Sequence, residues 1–193
     1  MASDLWPTHS NVSARFDEGL REQVATFFTS DTHFGDHRVL NLYSRPFATV
    51  AEMDAELIGR WKRVCGADDE IWHLGDFART PLQAAAILPR LYGRKHLVIG
   101  NNDSAPAPAG WESVGPYAEI KRGGVLLVLY HYPFRSWNGQ HRGSWNLHGH
   151  SHGRLKSLLR QYDVGVDPNG YTPVRLEELI AKTPRRREGG ADI

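Results

Sequence analysis

Five short clusters of oxygen- and nitrogen-bearing side chains run through the middle of this chain, and all suit the same chemistry. They are Asp31-Thr32-His33, Gly75-Asp76, Gly100-Asn101-Asn102-Asp103, His131-Tyr132-Pro133 and Gly149-His150-Ser151-His152. Aspartate and asparagine offer hard oxygen donors, and histidine offers imidazole nitrogen. No thiolate accompanies them, so the set suits a divalent cation rather than a soft-metal or iron–sulfur site. Asp31, Asp76, Asn101, His33, His131, His150 and His152 supply more donors than the roughly four a single ion takes. A dinuclear centre with one shared carboxylate uses them all. The histidines are also unevenly spread: five of the ten fall between His131 and His152.

Each cluster alone is ordinary turn or cap chemistry. Their positions set them apart. Each follows a short apolar run: residues 24–29 (VATFFT), 70–74 (EIWHL), 96–99 (HLVI), 125–130 (VLLVLY) and 145–148 (WNLH). Such β-branched and aromatic runs read as strands. In open α/β sheets the carboxyl ends of strands form the ligand crevice. The i, i+2 pairs Asp31/His33 and His150/His152 are predicted to face one side of an extended strand exit. Gly75, Gly100 and Gly149 permit a sharp turn and close backbone approach where each strand stops.

The intervening sequence supplies the positioning elements. Thr49-Val50-Ala51-Glu52 is a capping box, and Met53, Leu57, Trp61 and Val64 then recur at helical spacing. Thr80-Pro81-Leu82-Gln83 opens a second helix, to about residue 88, with proline at its first position. Residues 162–166 read as a short strand and 176–181 as a closing helix. Strands interleaved with helices predict an α/β fold; the later strands, joined by loops, predict a sheet that is partly mixed or antiparallel.

Composition narrows the class. The chain has 193 residues, 40% of them hydrophobic, and a formal net charge of +1. That predicts one domain over residues 1–193, with a mobile arm at 1–20 and a mobile tail at 183–193. A near-zero charge argues against a long nucleic-acid duplex as partner. No apolar run approaches the roughly 20 residues of a membrane span, and residues 1–8 lack the pattern of a secretory leader. The single cysteine, Cys65, has no internal disulfide partner, so a reducing, cytoplasmic setting is expected.

In this order, D-x-H, G-D, G-N-x-D, H and G-H-x-H, the motifs resemble the calcineurin-like metallophosphoesterase superfamily. The match runs from Asp31 to His152. Ser30-Asp31-Thr32-His33-Phe34-Gly35, Trp72-His73-Leu74-Gly75-Asp76-Phe77 and Leu147-His148-Gly149-His150-Ser151-His152 are similar to a compact bacterial and phage branch. The resemblance implies a four-layer α/β/β/α sandwich with two metals at one rim. One metal would be held by Asp31, His33 and His152, the other by Asn101, His131 and His150, with Asp76 bridging both. Where the superfamily usually places a leaving-group histidine, this chain has Asn102; the Asp103 beside it usually orients that histidine, so this pair is the expected catalytic position. Members with other residues there often act on phosphodiesters.

The expected function is therefore a dinuclear metal-dependent phosphoesterase acting on a phosphodiester or an activated monoester. Two ions acidify a water that attacks phosphorus in line. Mn²⁺ is the first expectation, with Fe, Zn, Ni or Mg as alternatives. A nuclease or nucleotide phosphodiesterase acting on short nucleic acid or dinucleotides is the second reading. A non-catalytic scaffold is the third. Arg38 and Arg135 are candidate phosphate contacts, since guanidinium is a bidentate phosphate donor, and His37 is a candidate lining residue. Arg45 reads as a structural anchor, and His73 and His148 as core or supporting histidines. Trp72, Trp137 and Trp145 read as packing residues, with base stacking as the alternative.

Overall fold

In this computed structural model, residues 24–182 are described. The arm and tail expected at 1–20 and 183–193 lie outside them. The fold is mixed α/β, with two mixed sheets and four α-helices. The first strand, β1 (Thr26–Thr29), is buried on both faces, as a central strand must be. It pairs in parallel with β2 (Glu70–His73), which pairs with β3 (Arg94–Val98), which pairs with β4 (Ser113–Gly115). The short β9 (Val174–Arg175) closes the other edge of this sheet antiparallel to β1. A second sheet has the order β5 (Tyr117–Arg122), β6 (Val125–Tyr130), β7 (Trp145–His148) and β8 (Gln161–Asp163), with only the β5–β6 pair antiparallel.

The helices follow from their caps and stripes. Besides the short α1 (Arg38–Leu42), α2 spans Val50–Val64, and its N-cap Thr49 side chain accepts from the Glu52 N–H. Its stripe of Met53, Leu57, Ile58 and Trp61 is buried against Phe27 and Ile71 on one face of the first sheet. Helix α3 (Pro81–Ile87) joins that layer, capped by Thr80. The other face of the first sheet, with Phe28, Trp72, Leu74 and Val98, meets Leu127, Leu129, Trp145 and Leu147 of the second sheet in a second core. Helix α4 (Leu176–Lys182) places Leu176 and Leu179 in that same core.

The structure departs from the sequence reading at several elements, and α1, β4 and β9 were also not expected. The outer face of the second sheet has no α-helix over it among the described residues. Phe134 stacks on Tyr130 at 4.7 Å, the Phe134 N–H bonds Asn146 Oδ1, and Gly139 lies against Leu126. Residues 131–144, with one 3-10 turn at Gln140–Arg142, lie over that face. Strand β5 was not expected, because its YAEIKR sequence is an edge strand with little burial. Its usable signal is Gly123-Gly124, both at positive φ, which suits a two-residue hairpin turn. The strand expected at 162–166 is β8, which ends at Asp163. From there the chain leaves the second sheet, and Gly165 bridges to Ser30 beyond β1.

Candidate metal centre

Parallel pairing puts the carboxyl ends of β1, β2, β3, β6 and β7 on one rim, and all seven candidate donors lie just past those ends. The exits are sharp turns rather than the extended segments expected. Of eight non-glycine residues with positive φ among the described residues, five are candidate donors: Asp31 (57°), His33 (50°), Asp76 (57°), His150 (64°) and His152 (48°). That region is uncommon for residues with a Cβ, and such strain collects at functional sites. The turns are pinned to each other: Asp31 N–H donates to Gly75 O at 2.9 Å, and His33 N–H donates to Asp76 O at 3.0 Å.

The donor atoms form two touching groups. Asp31, His33 and His152 bring their ligating atoms within 4.8 Å of one another, and so do Asp31, Asp76 and His131. Asp31 thus belongs to both, whereas the family resemblance assigns it to one. Asp76 faces a histidine of each group, with Oδ2 3.5 Å from His33 Nε2 and Oδ1 3.6 Å from His131 Nε2. On the far side, Asn101 Oδ1 lies 2.9 Å from His131 Nε2 and 3.0 Å from His150 Nδ1.

The imidazole tautomers decide what this arrangement suits. His131 Nδ1 lies 2.7 Å from Leu74 O, a carbonyl that only accepts, so Nδ1 carries the proton. In the neutral ring, Nε2 then turns a lone pair toward two more acceptors, Asn101 Oδ1 and Asp76 Oδ1. His152 repeats the pattern: Nδ1 meets Asp167 Oδ2 at 2.6 Å, and Nε2 faces Asp31 Oδ1 at 3.9 Å. His33 Nε2 is buried without any hydrogen-bond partner. Carboxylate and amide oxygens of Asp31, Asp76 and Asn101 thus face ring nitrogens of His33, His131 and His152 across one small space. A cation is what fits such a space.

Ionisation agrees. Burial, with repulsion from Asp76 and Asp163, holds the Asp31 carboxyl well above the usual carboxylate range. Burial pushes His33 down to about 4, so its ring is neutral at pH 7. A cation binding here competes with the proton that burial helps Asp31 to hold, whereas burial already favours the neutral ring of His33. Metal affinity is expected to rise with pH. Calorimetry of Mn²⁺ binding in two buffers of different ionisation enthalpy measures the released protons. An affinity that does not rise with pH would contradict this account of Asp31.

The remaining candidates sort by contact. Asn102 donates from its backbone N–H to Asp76 Oδ1 at 2.8 Å and from its side-chain amide to Oδ2 at 2.6 Å. It clamps the spanning carboxylate rather than reaching out toward a leaving group. The Asp103 carboxylate accepts the N–H groups of Gly100, Asp76 and Phe77, each at 2.8 Å. That makes it the tie of the Asp76 turn. His37 and Arg135 are exposed, and Arg38 forks onto Asp36, with one contact at 2.6 Å. None of these three bonds any of the seven donors. His73 is fully buried; its Nδ1 accepts the Gly75 N–H, and its Nε2 meets Thr32 Oγ1 at 2.9 Å. It supports two donor turns from below. The His148 ring bonds the carbonyl of Gly149 through Nδ1, and its Nε2 is buried without a hydrogen-bond partner. Trp72, Trp137 and Trp145 are buried, which removes them as base-stacking surfaces.

Sequence reasoning missed two residues that hold the donors. Asp167 accepts from His152 and from Arg45. Tyr43 stacks on the His152 ring with centroids 3.4 Å apart. Asp167 follows the segment 162–166 that the sequence offered as a short strand, which was the one signal available for it. Tyr43 lies in a helix-end loop and carries no comparable signal.

No family model matches the chain. It is 27% identical over 164 residues to the uncharacterized protein MJ1445 of Methanocaldococcus jannaschii, covering 80% of this chain and 88% of that protein. The crystal structure of the protein of unknown function AQ665 from Aquifex aeolicus superposes with a TM-score of 0.67 at 22% identity, over 82% of this chain and 98% of that one. This likeness shows a shared fold. The chain is also 30% identical to the Gene 66 protein of Mycobacterium phage L5 over 184 residues, covering 75% of this chain and 87% of the phage protein. The Gene 66 protein of phage D29 is likewise 30% identical, over 73% of this chain and 87% of its own length. With identity at this level over most of both chains, this protein belongs to the family of the mycobacteriophage Gene 66 proteins.

Proposed function

We propose that this protein is a dinuclear metal-dependent phosphoesterase of the calcineurin-like kind, acting on phosphodiesters or activated monoesters. The observation that carries the reading is the convergence of lone pairs from His33, His131 and His152 on the Asp31 and Asp76 carboxylates. Two divalent ions held there supply Lewis acidity toward phosphoryl oxygens and lower the pKa of an attacking water. The chain's own residues do the holding. Asp76 spans the two groups, Asn102 fixes both of its oxygens, and Asp103 fixes the backbone beneath it. All donors are nitrogen or oxygen, which suits Mn²⁺ and allows Fe, Zn, Ni or Mg.

Asn102 bears on the substrate. An amide has no proton to give near neutral pH, and this one is already bonded to Asp76. Esters whose leaving groups depart unaided are therefore favoured over simple alkyl esters. The test is hydrolysis of bis(p-nitrophenyl) phosphate with added Mn²⁺, run beside a series of leaving groups. The expected result is metal-dependent turnover that falls steeply as the leaving-group pKa rises. Absence of turnover with every divalent metal named above would reject the reading.

A further inference from the structure

The two halves of the centre are held differently. Behind the half formed by Asp31, His33 and His152 lies a buried ion pair. The Arg45 side chain is 0% exposed, and its fork meets Asp167 with Nε on Oδ1 and Nη2 on Oδ2, both at 2.9 Å. The same guanidinium donates to the Asp31 carbonyl at 2.7 Å and the Thr32 carbonyl at 3.0 Å. Asp167 then accepts from His152 Nδ1 at 2.6 Å. One ion pair thus joins the turn carrying Asp31 and His33 to the last histidine, 119 positions further along the chain. Four bonds at one buried guanidinium leave the planar fork little freedom.

Among the described residues, no ion pair stands behind His131, Asn101 or His150 in the other half. His131 is anchored by the Leu74 carbonyl. Asn101 and His150 are exposed, and their side chains bond one another and His131 rather than a buried support. Ordering these side chains is a cost left for the moment of binding.

Resting on the metal-centre reading above, we propose that Arg45 and Asp167 are positioning residues for the first half-site, acting through His152 and the turn that carries Asp31 and His33. They set its geometry before a cation arrives, so it takes a divalent ion more tightly than the Asn101, His131 and His150 half-site and fills first. Asp167 also keeps the proton on His152 Nδ1, leaving Nε2 free to donate its lone pair. Partners of this type govern metal affinity by about 10- to 100-fold.

The experiment is a Mn²⁺ titration of the full chain followed by calorimetry and electron paramagnetic resonance. The wild type is expected to bind two ions in separable steps. His150→Ala should weaken the second step only, which assigns the steps. Asp167→Ala should weaken the first step by about 10- to 100-fold and leave the second in place. Asp167→Asn keeps the size and one acceptor for His152, so it should fall between the two; it also serves if the alanine variant does not fold. A wild type that binds no Mn²⁺ overturns the metal-centre reading itself. Two ions bound with a first step unmoved in both Asp167 variants overturns the positioning role while that reading stands. Equal weakening of both steps would reduce Asp167 to general structural support, and also overturns the proposal.

Discussion

Asp76→Asn is expected to lower turnover of an aryl phosphodiester by about 10³-fold or more at saturating Mn²⁺, with the fold intact. The carboxylate faces both His33 and His131 across the centre, one oxygen to each. An amide keeps one oxygen and turns an NH₂ toward the other side. There it meets either a cation or an Asn102 donor, the backbone N–H or the side-chain amide that now bond the two oxygens. Charge neutralisation at the centre falls with it. Asparagine is the informative substitution because residue 76 sits at φ 57°, a left-handed conformation that asparagine tolerates and most residues resist. The Asp103 tie to the backbone N–H is also retained. Circular dichroism melts should accompany the assay. Near-wild-type turnover in a folded variant would count decisively against a shared carboxylate.

The second large effect is expected at Gly149, where the cause is space rather than backbone conformation. A Cβ there would run into Ser30 Oγ and the Asp31 carboxylate. Both side chains belong to fully buried residues, so neither has solvent to move into. Gly149→Ala should therefore displace Asp31, weaken Mn²⁺ binding by about 10- to 100-fold if Asp31 is held as tightly as the partners that govern metal affinity, and cost about 1–3 kcal/mol as overpacking does. Gly59→Ala is the control. Gly59 lies in α2 and a Cβ there meets nothing within 4 Å. Helix propensity predicts that it raises stability by about 0.5–1 kcal/mol. Thermal melts and a Mn²⁺ titration separate the two. If Gly149→Ala binds metal like wild type, Asp31 is not held in the cradle described.

How much of this was legible in the chain depends on how local the physics is. The caps at Thr49 and Thr80 were readable because a hydroxyl meets a backbone N–H three residues away. Strands β1, β2, β3, β6 and β7 were readable because buried runs of β-branched and aromatic residues leave few alternatives. The donor types were readable because hard-cation chemistry restricts the side chains. Strand β5 was not, since an exposed edge strand with charged residues lacks the burial pattern that marks a strand.

By itself the sequence determined the α/β class, the strand ends and the inventory of oxygen and nitrogen donors. All of these depend on residues within a few positions of one another. The tertiary structure alone decided that five donors leave their strands in left-handed turns, that Asp31 is shared between two groups, and that a loop covers the second sheet. It alone paired Arg45 with Asp167, 122 positions apart. Such contacts form only after the sheets have closed long loops, and the loss of chain entropy is repaid by cores whose partners no local pattern names.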